Sequence, residues 1–212
     1  FADSQNQVIR KLTPTTTSSA FPSIAGVAQA GAYGGGSTTA PGSWIEIFGT
    51  GLATTTRSWA TSDFRGSAAP TSLNGTSVKI GGVSAYVAFI SPTQINVQVP
   101  AGVANGPQFV TVTTAAGVSA PATITVKDTN PALLAPVSLK ISGRQYVGAT
   151  FADGTFVAPA GALTGIPSRA AKPGETILVF GIGFGGPSQQ IGQIAGSNSL
   201  VSGVTFTIGG VN

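Results

Sequence analysis

The groups in this sequence that could carry acid–base chemistry are its six carboxylates. They are Asp3, Glu46, Asp63, Asp128, Asp153 and Glu175. Glycoside hydrolysis requires two carboxyl groups that face one bond, but Glu46 and Glu175 belong to two different repeat strands, and no acidic pair is close in the sequence. Calcium requires several oxygen ligands. The segment 128–130 offers too few of them, so it is interpreted as a connecting turn.

Histidine and cysteine are both absent from the 212 residues. Their absence excludes Ser-His and Cys-His nucleophiles, and it excludes zinc sites built on these side chains. Without cysteine there is also no disulfide framework. The side chains available therefore predict a protein that is not an enzyme and that holds no metal and no cofactor.

One stretch combines side chains of the kind that bind sugars. The sequence TTRSWATSDF, at positions 55–64, lies on a predicted loop after the first strand. Its candidate ligand-binding residues are Arg57, Trp59, Asp63 and Phe64. An exposed aromatic ring can stack on a sugar face while a neighbouring Arg or Asp hydrogen-bonds the hydroxyls. In the structural alternative, Trp59 and Phe64 fold back to cap the sandwich and the two charged residues pair. The sequence leaves both interpretations open.

Charged residues are scarce in this chain. They make up 8% of it, against roughly 25% in an ordinary soluble domain. The net charge is +4, yet the only adjacent basic pair is Arg10-Lys11, whereas nucleic-acid binders cluster basic residues on one face. No apolar run reaches the length of about 18 residues that a membrane span needs. We therefore expect neither nucleic-acid binding nor a membrane span.

The same composition indicates a compartment. A β-rich chain with little charge, many hydroxyl side chains and no cysteine is typical of bacterial extracellular proteins. We therefore expect a secreted or cell-surface protein. Export requires a signal, and Phe1 does not open one, so we expect the natural N-terminus to lie upstream.

Apolar and polar residues alternate along most of the chain. A period of two is the pattern of β-strands, and no stretch has the 3.6-residue period of a helix. Many short strands separated by turns predict an all-β fold built from β-sandwiches. The predicted strands are Trp44–Phe48, Ser77–Ile80, Ala85–Ile90, Gln94–Val99, Gln108–Thr113, Thr123–Lys127, Leu139–Ile141, Tyr146–Phe151, Thr176–Gly181 and Val204–Ile208. Four of their side chains predicted to lie in the core are Trp44, Tyr86, Phe89 and Ile95.

An internal repeat divides the chain into two modules. The stretch PGSWIEIFGTGLA, from Pro41, returns as PGETILVFGIGFG from Pro173, and GTSVKIGGV, from Gly75, returns as GVTFTIGGV from Gly203. The predicted organisation is a terminal strand at 1–14, a linker at 15–23, a first immunoglobulin-like sandwich at 24–127, a linker at 128–136 and a second sandwich at 137–212.

The second module is predicted to be incomplete. The sequence contains no second copy of residues 84–127, which supply about four predicted strands to the first module. A sandwich without these strands exposes part of its core and leaves backbone edges unpaired. We expect either further chain or a partner to fill this place.

Several of these segments resemble a known type of domain. They resemble a C-terminal domain of large secreted proteins of soil bacteria, especially acidobacteria, in the stretches PGSWIEIFGTGLATTTRSW, LNGTSVKIGGVSAYVAFISPTQINVQVP, YVGATFADGTFVAP and AAKPGETILVFGIGFG. The resemblance covers residues 24–212. It implies immunoglobulin-like modules of the IPT/TIG type with no assigned activity. Members of that family continue past the final IGGV, so the resemblance also implies a C-terminal truncation.

The first residues of the chain resemble a different family. The sequence FADSQNQVIRKLTP, at positions 1–14, is similar to the end of an NHL β-propeller repeat, which often reads D-x-x-N-x-x-I-R-K. The resemblance implies that these residues are the tail of a propeller. An arbitrary polar strand is the alternative.

Together these features predict a non-enzymatic structural or adhesive module of a secreted or cell-surface protein. In a sharper form of the hypothesis, the terminal strand of one copy completes the open sandwich of another, and this head-to-tail contact propagates into a fibre. The residues predicted to form the inter-subunit strand are Val8, Ile9, Arg10, Lys11 and Leu12. The alternative function is a carbohydrate-binding module that uses the Trp59 loop. The expected partners are other protein domains, copies of the same chain, or polysaccharide.

Overall fold

Strands dominate the structure. The computed structural model describes residues 2–3, 8–9, 21–33, 35–185, 190–194 and 204–205. Its helical elements in these ranges are two short 3-10 turns, Thr61–Asp63 and Val137–Leu139. The predicted all-β fold is confirmed. No helix within the described ranges is long and apolar enough to cross a membrane.

At the N-terminus, β1 (Ala2–Asp3) pairs antiparallel with β2 (Val8–Ile9). Two of the five residues predicted to form an inter-subunit strand, Val8 and Ile9, are therefore extended and pair within their own chain. The other three, Arg10, Lys11 and Leu12, lie outside the described residues.

The first module is a sandwich of two sheets. Its strands in chain order are β3 (Ser23–Gln29), β4 (Thr38–Thr39), β5 (Trp44–Thr50), β6 (Arg57–Ser58), β7 (Ser72–Leu73), β8 (Thr76–Ile80), β9 (Val83–Ser84), β10 (Tyr86–Ile90), β11 (Gln94–Gln98), β12 (Gly106–Thr114), β13 (Gly117–Val118) and β14 (Ala122–Val126). One sheet has the order β3-β5-β11-β10-β6. The other has the order β4-β14-β12-β8-β7, with β13 beside β12 and β9 beside β8. The pairing of β4 with β14 is parallel, and the other pairings are antiparallel.

The core of the first module lies between these two sheets. Alternate residues of each strand face it. In β5 these are Ile45 and Ile47, which have no exposed surface, and they belong to one buried cluster with Val78 and Ile80 of β8. Burial of such a side chain contributes roughly 1.5–3 kcal/mol, and a slip by one residue would turn the whole set outward. The alternation therefore fixes the register of the sheet.

Of the four side chains predicted to lie in the core, one does. Ile95 is fully buried, whereas Trp44, Tyr86 and Phe89 are half-buried on the outer face of the same sheet. The prediction for the three aromatic residues is wrong for two reasons. The isoleucines of β5 occupy its inner face, and a bulge within β10 changes which of its residues point inward.

The second part of the chain forms smaller sheets. Its strands are β15 (Ala132–Leu133), β16 (Lys140–Ile141), β17 (Arg144–Gln145), β18 (Ala149–Thr150), β19 (Phe156–Val157), β20 (Ser168–Arg169), β21 (Leu178–Val179) and β22 (Gly181–Ile182). One sheet has the order β20-β19-β18-β21, while β15 pairs with β22 and β16 with β17. The predicted strand 176–181 thus divides between β21 and β22. Most of the predicted strand 204–208 lies outside the described residues.

The segment predicted to be a linker, residues 128–136, is hydrogen-bonded to both modules. On one side, Tyr33 N donates to Leu133 O at 2.8 Å and Ala135 N donates to Gly31 O at 2.6 Å. On the other side, β15 pairs with β22. Backbone pairing through this segment therefore joins the two modules.

Candidate functional site

An ion pair holds the predicted sugar-binding loop in place. Strand β6 positions Arg57, and the 3-10 turn that follows brings Asp63 back to it. The guanidinium donates from Nη2 to Asp63 Oδ1 at 2.7 Å and from Nη1 to Oδ2 at 2.9 Å. Its Nε donates to Asn74 Oδ1 at 3.1 Å. The Nε, Nη1 and Nη2 groups of Arg57 therefore each already have a hydrogen-bond acceptor within the same module.

The ion pair sets the charge state of the loop. Hydrogen bonds from the Arg57 guanidinium lower the pKa of Asp63 to about 2. The backbone N–H of Ala60, 2.6 Å from Oδ2, acts in the same direction. Asp63 is thus a carboxylate across the neutral and mildly acidic range, and its negative charge faces the guanidinium.

The indole of Trp59 packs against the module. It meets Trp44 edge to face, with ring centroids 5.6 Å apart, and it meets Phe64 at 5.0 Å in a tilted geometry. It also contacts the buried core cluster and is only partly exposed. The structure therefore brings the four predicted residues together, with Arg57 on Asp63 and Trp59 on Phe64. Sugar binding by these residues stays a prediction.

Beside this loop, the outer face of the five-stranded sheet carries amides and aromatic rings. Three rows cross it in register: Trp44, Gln98 and Tyr86; Glu46, Asn96 and Phe89; Phe48 and Gln94. Gln94 Nε2 donates to Asn96 Oδ1 at 2.8 Å, and burial raises the pKa of Glu46. The arrangement offers hydrogen-bonding groups between rings. The amides that alternate with apolar residues in QINVQ were the sequence signal for this face.

Residues 190–194 cover one end of the outer face. Gly192 N donates to Gln98 Oε1 at 3.1 Å, and the backbone of Gly192 lies so close to the ring of Tyr86 that a Cβ would collide with it. Nearby, Ile194 N donates to Ser67 O at 2.8 Å. This later part of the chain therefore docks on the first module, while Phe48 at the other end of the face is exposed among the described residues.

The second candidate site is β21 of the second module together with Ile177, which directly precedes it. Ile177 is the repeat counterpart of Ile45, and Val179 is the counterpart of Ile47. The two residues of the first module are fully buried, but Ile177 is 36% exposed and Val179 is 38% exposed. Leu178 between them is also exposed. The apolar row that forms a core in the first module is thus open to solvent in the second.

This exposed strand is paired along one edge. Phe180 N donates to Gly148 O at 2.9 Å, and Leu134 N donates to Phe180 O at 2.9 Å. Strand β21 ends its four-stranded sheet, so no strand of the described part of the chain pairs with its other edge. The described residues therefore combine an exposed apolar row with a strand edge that no described strand pairs. That the second sandwich is incomplete stays a prediction.

Three of the described carboxylates have separate partners. Asp63 pairs with Arg57, Glu175 accepts from Arg169 at 2.9 Å, and Asp128 accepts from Asn105 at 2.7 Å. Where the structure describes the chain, it contains no group of three or more acidic side chains able to hold a metal ion. Each of these three carboxylates makes its own local interaction.

Residues 35–128 match the family of IPT/TIG domains. The match spans β4 to β14 of the two-sheet sandwich described above, so this part of the first module is similar to an IPT/TIG domain. The predicted IPT/TIG resemblance is confirmed for this module. The match covers less than half of the chain and makes no assignment for the second module.

No curated protein matches the chain. Among solved structures, it is similar to the gamma-CGTase from Alkalophilic bacillus clarkii, with 17% identity and a TM-score of 0.36 over 55% of this chain and 14% of that one. It is also similar to an auxiliary nutrient binding protein from Bacteroides thetaiotaomicron, with 12% identity and a TM-score of 0.35 over 54% of this chain and 22% of that one. A third similar structure is SGBP-B of the Bacteroides ovatus mixed-linkage glucan utilization locus in complex with a mixed-linkage heptasaccharide. Its identity is 12% and its TM-score is 0.29, over 68% of this chain and 36% of that one. The chain thus spans well under half the length of these proteins, and the likenesses carry no argument about its function.

Proposed function

We propose that this chain is a non-enzymatic structural or adhesive part of a secreted or cell-surface bacterial protein, and that its second module joins another polypeptide by β-strand complementation. One observation carries the proposal. Ile177, directly before β21, and Val179, within it, are exposed beside an open strand edge, while their counterparts in β5 are completely buried. An exposed apolar strand edge is a template for pairing with another chain.

The surrounding features support this location and role. The chain has 8% charged residues and no cysteine, a composition typical of bacterial extracellular β-proteins. Part of its first module is similar to an IPT/TIG domain. In this proposal the modules follow an NHL-type propeller, and the similarity of residues 1–14 to an NHL repeat supports that order.

In the sharper form of the proposal, copies of the chain form a fibre. One copy donates residues 8–12 to the open edge of the next, and because donor and acceptor surfaces differ, the contact repeats without closing. Val8 and Ile9 are already extended, as a donor requires. They pair with Asp3 and Ala2, so donation either displaces that pairing or uses the other edge of β2.

Assembly of the intact chain tests this proposal. Sedimentation velocity at increasing concentration, with electron microscopy of the same samples, should show oligomers and filaments. Val179→Glu places a charge on the acceptor strand and should abolish them, and deletion of residues 1–14 should abolish the filaments. Leu178→Glu is the matched control, because it restores the residue present in the first repeat. A wild-type chain that stays monomeric at every concentration would refute the fibre.

Carbohydrate binding is the second candidate function. The observation that favours it is the partly exposed indole of Trp59 beside the charged pair Arg57 and Asp63. Affinity electrophoresis in gels with and without soluble polysaccharides tests it. Retardation of the wild type that disappears in Trp59→Ala, with unchanged secondary structure, would support this function. No retardation in any polysaccharide, or equal retardation of both proteins, would count against it.

A further inference from the structure

The open edge of the second module has a filled counterpart in the first. There, β5 lies between β3 and β11. In the pairing of β5 with β11, Ile47 lies opposite Ile95 and Ile45 lies opposite Val97. All four side chains are fully buried. The first module thus shows which kind of strand closes this edge.

The backbone N–H and C=O groups of β5 and those of its repeat counterpart around β21 point to the same sides of their strands. In the first module, Ala30 N donates to Trp44 O on the β3 side, while Gly49 N donates to Thr93 O on the β11 side. In the second module, both backbone groups of Phe180 are used on the side that corresponds to β3. Because successive residues of a strand direct these groups to alternate sides, those of Ile177 and Val179 face the place that corresponds to β11.

No part of this sequence is a second copy of QINVQ, the sequence of β11. The late repeat segment GVTFTIGGV is the counterpart of the stretch that contains β8, which lies in the opposite sheet of the first module. The place beside β21 therefore corresponds to a strand that the repeat does not supply.

We propose, building on the proposed function, that this edge accepts an antiparallel strand with the side-chain pattern of β11. The accepted segment carries β-branched apolar residues at two alternate positions, and these lie opposite Val179 and Ile177. The contact buries both partners' apolar side chains and satisfies the open backbone groups, the two requirements that β11 meets in the first module.

The residue between the two apolar positions differs from its counterpart in β11. In the first module Asn96 lies opposite Glu46. At the equivalent place, the second module has Leu178, which is 53% exposed. A β-branched residue packs better than an amide against a leucine across a strand pair. The second module therefore selects a strand with Thr or Val at the centre, whereas the first module holds Asn.

A peptide copied from the first module tests this acceptor. The probe is fluorescein-labelled TQINVQV, residues 93–99, titrated into the intact chain and followed by fluorescence anisotropy. We expect saturable binding that becomes weaker by about tenfold or more in Val179→Glu, because the charge would be buried without a partner. Leu178→Glu should retain binding. A peptide with Asn96→Thr should bind the wild type more tightly than the parent peptide.

Two further measurements locate the bound peptide. Hydrogen exchange should slow at the amides of Ile177 and Val179 when the peptide is present. A peptide with Ile95→Asp and Val97→Asp should not bind. Binding that Val179→Glu leaves unchanged, protection confined to the first module, or no binding up to the solubility limit of the peptide would each overturn the proposal.

The result is independent of the fibre, because residues 8–12, Val-Ile-Arg-Lys-Leu, carry only one β-branched residue on either face and do not have the pattern of β11. If the peptide binds and the chain stays monomeric, the acceptor stands and self-assembly fails. If the chain forms filaments that the peptide neither binds nor disrupts, another surface drives assembly and the acceptor is wrong. If both succeed, excess peptide should shorten or dissolve the filaments.

Discussion

Ile45 and Ile177 are the same residue at the same position of the two repeats, yet Ile45 is completely buried and Ile177 is 36% exposed. The local sequence around each, a Pro-Gly turn followed by an alternating strand and Gly-x-Gly, is nearly equivalent. The difference lies in the neighbours. Strands β3 and β11 flank the strand of Ile45. Ile177 directly precedes β21, which within the described residues has strand neighbours on one side only.

This relationship predicts unequal costs for one substitution. Ile45→Ala removes a side chain from a closed core and should destabilise the first module by about 2–5 kcal/mol. Ile177→Ala removes a side chain that already touches water, so it should cost less than about 1 kcal/mol. Differential scanning calorimetry of the two variants checks this. Equal losses would mean that Ile177 lies in a closed core.

The alternation of apolar and polar residues predicts strands well where the neighbouring strands of the sandwich are present. All six strands predicted between positions 44 and 127 form, because Ile45, Ile47, Val78 and their partners face one core. The same pattern overestimates the regular structure of the second module. At 146–151 it predicts a strand of six residues, and the structure has β18, which spans two.

The longest missed element is β3, seven residues at Ser23–Gln29. Its small residues obscure the alternation, and a bulge between Ile24 and Gly26 interrupts its pairing with β5. Its fit to β5 depends on Gly49, where a Cβ would collide with the carbonyl oxygen of Ser23. Such a contact joins residues distant in sequence, so no local pattern reveals it.

The Trp59 loop shows a similar limit. The four residue types indicated a cluster, and the cluster exists, with Arg57 on Asp63 and Trp59 against Trp44. Whether the indole faces a ligand or another ring depends on where the outer face of the sheet lies. That position follows from the register of β5, β10 and β11. The sequence pattern did not give this register, and it wrongly predicted that the three half-buried aromatic residues lie in the core.

The Arg57–Asp63 pair predicts a dependence of stability on pH. The folded pKa of Asp63, about 2, lies below its ordinary value, so the pair stabilises the fold above about pH 4 and this contribution is lost as the pH falls toward 2. Asp63→Asn should lower the melting temperature slightly at neutral pH. The difference from wild type should shrink steadily on acidification.

Thermal unfolding between about pH 2 and pH 7 measures this difference. Asp128→Asn removes the same charge from the end of the first module, where the carboxylate accepts a hydrogen bond from an exposed amide, Asn105. It serves as the charge-matched control. A difference for Asp63→Asn that does not depend on pH would show that the ion pair contributes nothing.

A buried amide pair at the module junction supports a third prediction. Gln29 is 2% exposed, and its Oε1 accepts from Asn130 Nδ2 at 2.6 Å while its Nε2 donates to Asn130 O at 3.0 Å. Asn130→Ala leaves the Gln29 oxygen buried without its donor and should cost about 1–3 kcal/mol. Asn105→Ala, at an exposed amide, should be nearly neutral.

Urea denaturation followed by tryptophan fluorescence measures the free energy of unfolding of the first module in both variants, because both tryptophans, Trp44 and Trp59, lie there. Limited proteolysis within 128–136 gives a second readout. Asn130→Ala should be cut faster than the wild type, since the segment loses its anchor. If both asparagine variants behave alike, the junction does not depend on the amide pair.

Two glutamates should respond to pH in opposite directions. Burial raises the pKa of Glu46 above its ordinary value, so ionisation of Glu46 disfavours the fold as the pH rises through about 4.5. Hydrogen bonds from Arg169 and from the backbone N–H of Lys172 lower the pKa of Glu175, so its ionised form stabilises the fold and this contribution is lost on acidification.

Glu46→Gln should therefore raise the melting temperature at neutral pH, and Glu175→Gln should lower it. Each difference from wild type should shrink as the pH falls and the native carboxylate becomes protonated, at a lower pH for Glu175 than for Glu46. Calorimetry across this range measures both variants, and each serves as the control for the other because both remove one negative charge. If the two variants shifted stability in the same direction at neutral pH, net charge would be responsible, and the contrast between a half-buried carboxylate and a paired one would be wrong.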